Sequence, residues 1–214
     1  MIPSYLLVMQ QKLPGHLEDL EKTTTQPKRI ALFASGAGSN AQKIIEYFKN
    51  DPLVKPALVV CNKPGAGVLQ VSAAANLPAL LIEKERFFKG DSYLPELQRK
   101  EIDFIVLAGF LWKVPPSLIA AYPKRIINIH PALLPGYGGK GMYGQHVHEA
   151  VLKSGDKMSG ITIHYVDEHY DNGDIIFQKE CPVQLDDDAA TLAQRIHQLE
   201  HEWYPKVIEE VVKK

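Results

Sequence analysis

Short apolar runs alternate with helix-spaced segments over the first two-thirds of this chain. That alternation limits the possible folds more than any other feature. RIALFA (29–34), PALVVCN (56–62), ALLIE (79–83), DFIVLAGF (103–110) and RIINIH (125–130) read as buried strands. SNAQKIIEYFKN puts Ile44, Ile45 and Phe48 on one face of a helix. AGVLQVSAAANL, SYLPELQRKEI and PSLIAAYP also read as helices, the second with Asp91 or Ser92 as its expected cap and Pro95 in its first turn. Strands that alternate with helices imply an α/β fold with a doubly wound, mostly parallel sheet.

The last third follows another rule. GITIHYV (160–166) alternates apolar and polar positions, and DEHYDNGD is rich in turn formers. IIFQKECPV (175–183) is a further strand, so the two runs predict an antiparallel C-terminal hairpin. A C-terminal helix follows, with acidic residues at its start and Leu192, Ile196, Leu199 and Trp203 as its apolar stripe.

A chain of 214 residues, 45% hydrophobic, is long enough to bury a full core as one domain. A net charge of -1 provides no basic footprint, so nucleic acid is not an expected partner. Cys61 and Cys181 have neither metal-ligand spacing nor a disulfide framework, which suits reduced thiols in a cytoplasmic protein. YLLVM near the start is too short for a membrane span, and the features of a signal peptide are missing. Residues 1–28 therefore read as an appended arm whose order is left open. EKTTTQPK links it to a domain over 29–214.

Between the first strand and the first helix lies SGAGSN, with Gly36 and Gly38. A helix start of this kind offers free N–H groups to an anion. The glycines fit a loose dinucleotide fingerprint, but that motif expects an acidic residue at the end of the second strand, where Cys61 and Asn62 stand. A nicotinamide cofactor is therefore disfavoured. Ser39 and Asn40 suit a single phosphate group; an ordinary turn with either residue as N-cap is the competing possibility.

Asn128 and His130 interrupt the apolar run RIINIH two residues apart, so they face the same side of the strand end, just before Pro131. Ligands of open parallel sheets bind beyond such carboxyl ends. An amide can donate to a developing oxyanion, and an imidazole can donate, accept or carry a proton near neutral pH. DEHYDNGD supplies carboxylates that could orient such a histidine. Alternatively, Asn128 and His130 satisfy each other as a strand terminus. His146, His148, His164 and His169 show no metal-ligand spacing, so no metal is expected. His146 and His148 read as structural or surface residues.

With SGAGSN, VLAGF, NIHPALLPGYGG, DNGDII and RIHQLEHEWYP in view, the chain resembles the phosphoribosylglycinamide formyltransferases over about residue 29 to its end. The N-x-H-P-x-L-L-P element is shared by the wider formyltransferase and formyl-hydrolase group, whereas GSN points to this branch. The resemblance implies a Rossmann-like formyltransferase fold. It also implies transfer of a formyl group from the co-substrate 10-formyltetrahydrofolate to the amine of glycinamide ribonucleotide in purine biosynthesis, without metal. Asn128, His130 and Asp171 match the catalytic trio. Gly38, Ser39, Asn40 and Glu200 match the ribonucleotide site. Leu111, Trp112, Lys113 and Val114, with Asn128 and the loop Asp167, Glu168, His169, Tyr170 and Asp171, match the folate site. Asp171 is expected to favour the charged form of His130.

Two positions depart from the pattern. Gly136 stands where relatives often have a basic residue, and Trp112 where many have Arg. Near EKERFFKGDSY no folate-contacting basic residue aligns with the family's, and Arg86 and Lys89 are no more than candidates for it. GYGGKGMYG, with five glycines, is a candidate lid, and Lys140 within it could add positive charge near substrate. The partners implied are small molecules, with a monomer or a homodimer both compatible. Two alternatives remain: a formyltetrahydrofolate hydrolase or other folate-dependent formyltransferase, and a non-catalytic nucleotide-binding module.

Overall fold

The computed structural model describes residues 26–214. The expected arm lies outside the described residues up to position 25, and its last residue, Lys28, opens the first strand. Seven strands form one sheet in the order β3-β2-β1-β4-β5-β6-β7. They are β1 (Lys28–Ala34), β2 (Val54–Cys61), β3 (Ala79–Leu81), β4 (Phe104–Leu107), β5 (Ile126–His130), β6 (Met158–Tyr165) and β7 (Ile175–Pro182). The first five are mutually parallel. β6 runs antiparallel to both β5 and β7.

The parallel strands are apolar on both sides because helices cover both sides. Ile30 and Leu32 of β1 enter one core layer, and Ala31 and Phe33 enter the other. The first layer is closed by α1 (Ser39–Tyr47), α2 (Gly67–Ala74), α6 (Gln145–Ser154) and α7 (Ala189–Val212), through Ile44, Val68, Val151 and Ile196 among others. The second is closed by α3 (Lys84–Lys89), α4 (Leu94–Arg99) and α5 (Pro116–Ala121), through Phe87, Leu97 and Leu118.

Three local features differ from expectation. The sequence pattern did not signal α3, a six-residue helix. Helix α4 begins at Tyr93 with a left-handed backbone and no side-chain cap. Asp91 instead accepts from the Tyr93 N–H at 2.9 Å, and the Ser92 hydroxyl bonds Phe87 and Ser117. The buried stripe of α7 runs through Leu192, Ile196, Glu200, Tyr204 and Ile208, while Leu199 and Trp203 flank it. The acidic start of α7 is a capping box: Asp188 accepts from the Thr191 N–H at 2.8 Å, and Thr191 accepts from the Asp188 N–H at 2.9 Å.

Candidate active site

The sheet order reverses between β1 and β4, and chains leaving those strands diverge to leave a crevice at their carboxyl ends. A cavity of about 620 Å³ occupies it. Its walls come from residues 36–40, 107–114 and 128–131, the glycine-rich loop 139–144, the loop after β6, and α6 and α7.

At one end α1 begins with Gly38 at φ 86°. A Cβ there would lie 2.7 Å from the Val68 Cα, so both conformation and close packing require glycine. Neither Ser39 nor Asn40 caps the helix, as the ordinary-turn alternative needed. The Asn40 amide instead donates to Glu200 Oε2 at 2.9 Å. Glu200 is 5% exposed, inside the stripe of α7 rather than at its edge. Burial pushes its carboxyl pKa up, against the opposing bond from Asn40.

Asn128 and His130 stand at the carboxyl end of β5, and they do not bond each other. His130 Nε2 donates to the Tyr137 carbonyl oxygen at 2.7 Å, and its Nδ1 lies 3.6 Å from Asp171 Oδ2. The Asn128 amide is 3.2 Å from His164 Nε2 and 3.5 Å from Asp171 Oδ1. His164 Nδ1 donates to the Tyr165 carbonyl at 2.8 Å, and its Nε2 lies between the Asn128 amide and Asp171 Oδ1, the latter 3.7 Å away. The antiparallel register sets Asn128 opposite His164, so β6 delivers an imidazole that sequence reasoning passed over. Alternation in GITIHYV signals one inward-facing set of residues, but its pairing partner is set by tertiary register alone.

Asp171 reaches this group from the loop after β6, at φ 51°, and accepts the Gly139 N–H at 3.0 Å. A Cβ on Gly138 would meet Leu134 Cδ2 at 2.6 Å and the Asp171 Cβ at 3.2 Å, so this approach needs glycine. Burial alone would raise the Asp171 carboxyl. The His164 side chain, the His130 charge and the Gly139 N–H outweigh burial and hold it below the ordinary value. For His130 the balance goes the other way. Burial depresses its pKa more than Asp171 raises it, so the expected support of Asp171 for an imidazolium is present but outweighed, and the neutral ring is favoured.

At the other end, the Leu111 N–H donates to Ser35 Oγ at 2.9 Å and its side chain is exposed. Trp112 packs against Phe87, Phe88 and Phe110, with ring centroids 5.7, 5.6 and 6.3 Å away. Lys113 Nζ lies 5.8 Å from the centroid of the Tyr170 ring, and Val114 is buried beneath. Asp167 accepts from the His169 N–H and the Asn172 amide, bracing the loop from within. Of the residues matched to the catalytic, ribonucleotide and folate sites, all but Glu168 line the cavity.

Arg86 is committed to Asp91 and Glu96 at 2.8–2.9 Å and stacks over Tyr93. Lys89 pairs with Glu85. Neither lines the cavity, whose lysines are Lys113 and Lys140. His146 is exposed, but His148, expected to be structural or superficial, is 3% exposed and lines the cavity. Among the described residues no group of three or more His, Cys, Asp or Glu is placed to hold a metal ion. None of the described helices is long and apolar enough to cross a membrane.

The pattern of the family described as formyl transferase matches residues 28–208. The chain is 43% identical over 193 residues to a chloroplastic phosphoribosylglycinamide formyltransferase of Vigna unguiculata; the match covers 88% of this chain and 62% of that protein's length. It is 38% identical to the phosphoribosylglycinamide formyltransferase of Bacillus subtilis, covering 86% of this chain and 95% of the relative. The crystal structure of phosphoribosylglycinamide formyltransferase from Bacillus halodurans superposes with a TM-score of 0.79 at 36% identity, over 87% of this chain and 96% of that one. The chain belongs to the formyl transferase family, and within it to the phosphoribosylglycinamide formyltransferases.

Proposed function

We propose that this protein transfers the formyl group of 10-formyltetrahydrofolate to the primary amine of glycinamide ribonucleotide, a step of purine (IMP) biosynthesis. The observation that carries this is the convergence of Asn128, His130 and Asp171 on one cavity. One end of that cavity is a helix N-terminus suited to phosphate, with Glu200 beside it. The other end is the largely apolar Leu111–Val114 segment with Tyr170, suited to a flat heteroaromatic ring. Two buried free thiols, Cys61 and Cys181, agree with a cytoplasmic, reducing setting.

In the reaction the amine nitrogen attacks the formyl carbon, and a tetrahedral centre with a negative oxygen forms. The Asn128 amide donates to that oxygen. His130 joins it by exchanging the Tyr137 carbonyl for the oxyanion. Tyr137 leads into the glycine-rich loop, so closing of that loop and release of the Nε2–H are coupled. Asp171, held ionised, takes the amine proton through water and returns it to the leaving folate nitrogen, so charge balances without metal or covalent enzyme. Lys113 and Lys140, the lysines of the cavity, are the cations available to the folate's acidic end, since Arg86 is held by Asp91 and Glu96.

The test measures loss of 10-formyltetrahydrofolate with and without glycinamide ribonucleotide. Formylated ribonucleotide forming only when both are present supports the assignment. Formate released at the same rate without the amine would make the protein a hydrolase.

A further inference from the structure

His148 lines the same cavity as Asn128, His130 and Asp171 and as the Ser39–Asn40 turn. It projects from α6 and lines the cavity while remaining 3% exposed. His130 of β5 and His197 of α7 lie near enough to oppose its protonation. All three imidazoles line the cavity, together with Ser39 and Asn40. Nδ1 of His148 is sealed in the protein without a partner. Buried polar atoms almost always have partners, and an orphan costs about 1–3 kcal/mol. A proton on Nδ1 would therefore be stranded. The ring proton belongs on Nε2, the nitrogen open to the cavity.

We infer that His148 is a further substrate-binding residue, whose Nε2–H donates to an oxygen of the ribose-phosphate of the ribonucleotide. This rests on the proposed reaction and adds a contact to it. The His148 ring does so as a neutral donor. Burial first, then the like charges of His197 and His130, push its pKa down to about 4. A fixed neutral donor directs the substrate without adding a buried cation beside His130.

The experiment compares His148→Phe, which keeps a ring and removes both nitrogens, with His148→Asn, which keeps a short donor. His148→Phe is expected to raise KM for glycinamide ribonucleotide about tenfold, the loss of one hydrogen bond. KM for 10-formyltetrahydrofolate should stay within about twofold, and His148→Asn should recover most of the loss. An unchanged ribonucleotide KM, equal rises in both KM values, or a rise that Asn does not recover would overturn the assignment. A second measurement uses the unaltered protein. In ¹⁵N-histidine NMR spectra glycinamide ribonucleotide should move the His148 Nε2 resonance and folate alone should not. No shift with the ribonucleotide overturns the contact. Absence of formyl transfer by the unaltered protein would strike the reaction itself, while the histidine shift would still decide this contact.

Discussion

Strands β1 to β5 and strands β6 and β7 contribute to one cleft in opposite ways. In the parallel part nearly every side chain is apolar and buried, and the site is made mostly of backbone: the turn at Gly38, the N–H groups of α1, the segment after β4. Asn128 and His130 are the polar intrusions at the end of β5. The antiparallel part is half-exposed, with β7 at the sheet edge, and it brings side-chain chemistry: His164 from β6, Asp171 from the loop beyond, Glu200 from α7. The parallel half is a rigid seat, and the antiparallel half carries charge to it. A doubly wound sheet covered on both faces has little room for ionisable groups except at its mouth. A two-layer edge can present them from a strand, a loop and a helix at once.

If that division holds, removing a polar group at the junction should abolish turnover without unfolding the seat. His130→Ala is expected to lower kcat by about 100- to 10,000-fold, since one residue supplies an oxyanion donor and borders the proton path. Single-turnover kinetics on a variant shown by circular dichroism to be folded would check it, and near-normal turnover would break the assignment. Asp171→Asn keeps an acceptor for the Gly139 N–H but removes the charge. Its kcat should fall about 100-fold with both KM values nearly unchanged.

On the seat side the effect should be on binding. Gly38→Ala forces a Cβ to within 2.7 Å of Val68 at a positive φ. It should raise KM for the ribonucleotide at least about tenfold and cost about 1–3 kcal/mol of stability, read by urea unfolding. A variant with normal KM would mean that the turn does not hold the phosphate.

Acid should act where the two halves meet. His130 and His148 have folded pKa values below those of the unfolded chain. From pH 6.5 downward the unfolded chain binds protons that the folded chain refuses, so stability falls as pH falls. For His148, whose folded value is about 4, the loss is at most about 3 kcal/mol. His148→Asn should flatten the stability profile across that window, as chemical denaturation at a series of pH values would show. Asp171, depressed in the fold, contributes stability above the ordinary carboxylate range that disappears only at still lower pH.

The smallest effect belongs to the bolt between the halves. Tyr204 of α7 donates to the carbonyl oxygens of Leu107 and Ile127 at 2.9 and 3.3 Å. Tyr204→Phe should cost about 1 kcal/mol and leave both KM values unchanged.

Periodicity carried the strands, the helices other than the six-residue α3 and the change from parallel to antiparallel pairing, because burial on one or two faces writes a repeat of 3.6 or 2 into the chain. It also exposed Asn128 and His130, since a polar residue inside an apolar run is locally visible. His148 and His164 were not visible in that way. Each lies in a segment of ordinary composition, and its place depends on which element packs against it. The committed pairs of Arg86 were equally hidden, because Asp91 and Glu96 capture it only once α3 and α4 fold back.

The sequence by itself determined the layered sheet, the glycine turn before α1 and the two polar residues at the end of β5, since each follows from local pattern and backbone sterics. Only the tertiary structure decided that His130 is held neutral, that Glu200 is buried against Asn40 and that Asp171 meets both His130 and His164. Desolvation and electrostatic contact depend on neighbours distant in the chain, and those neighbours are chosen by packing.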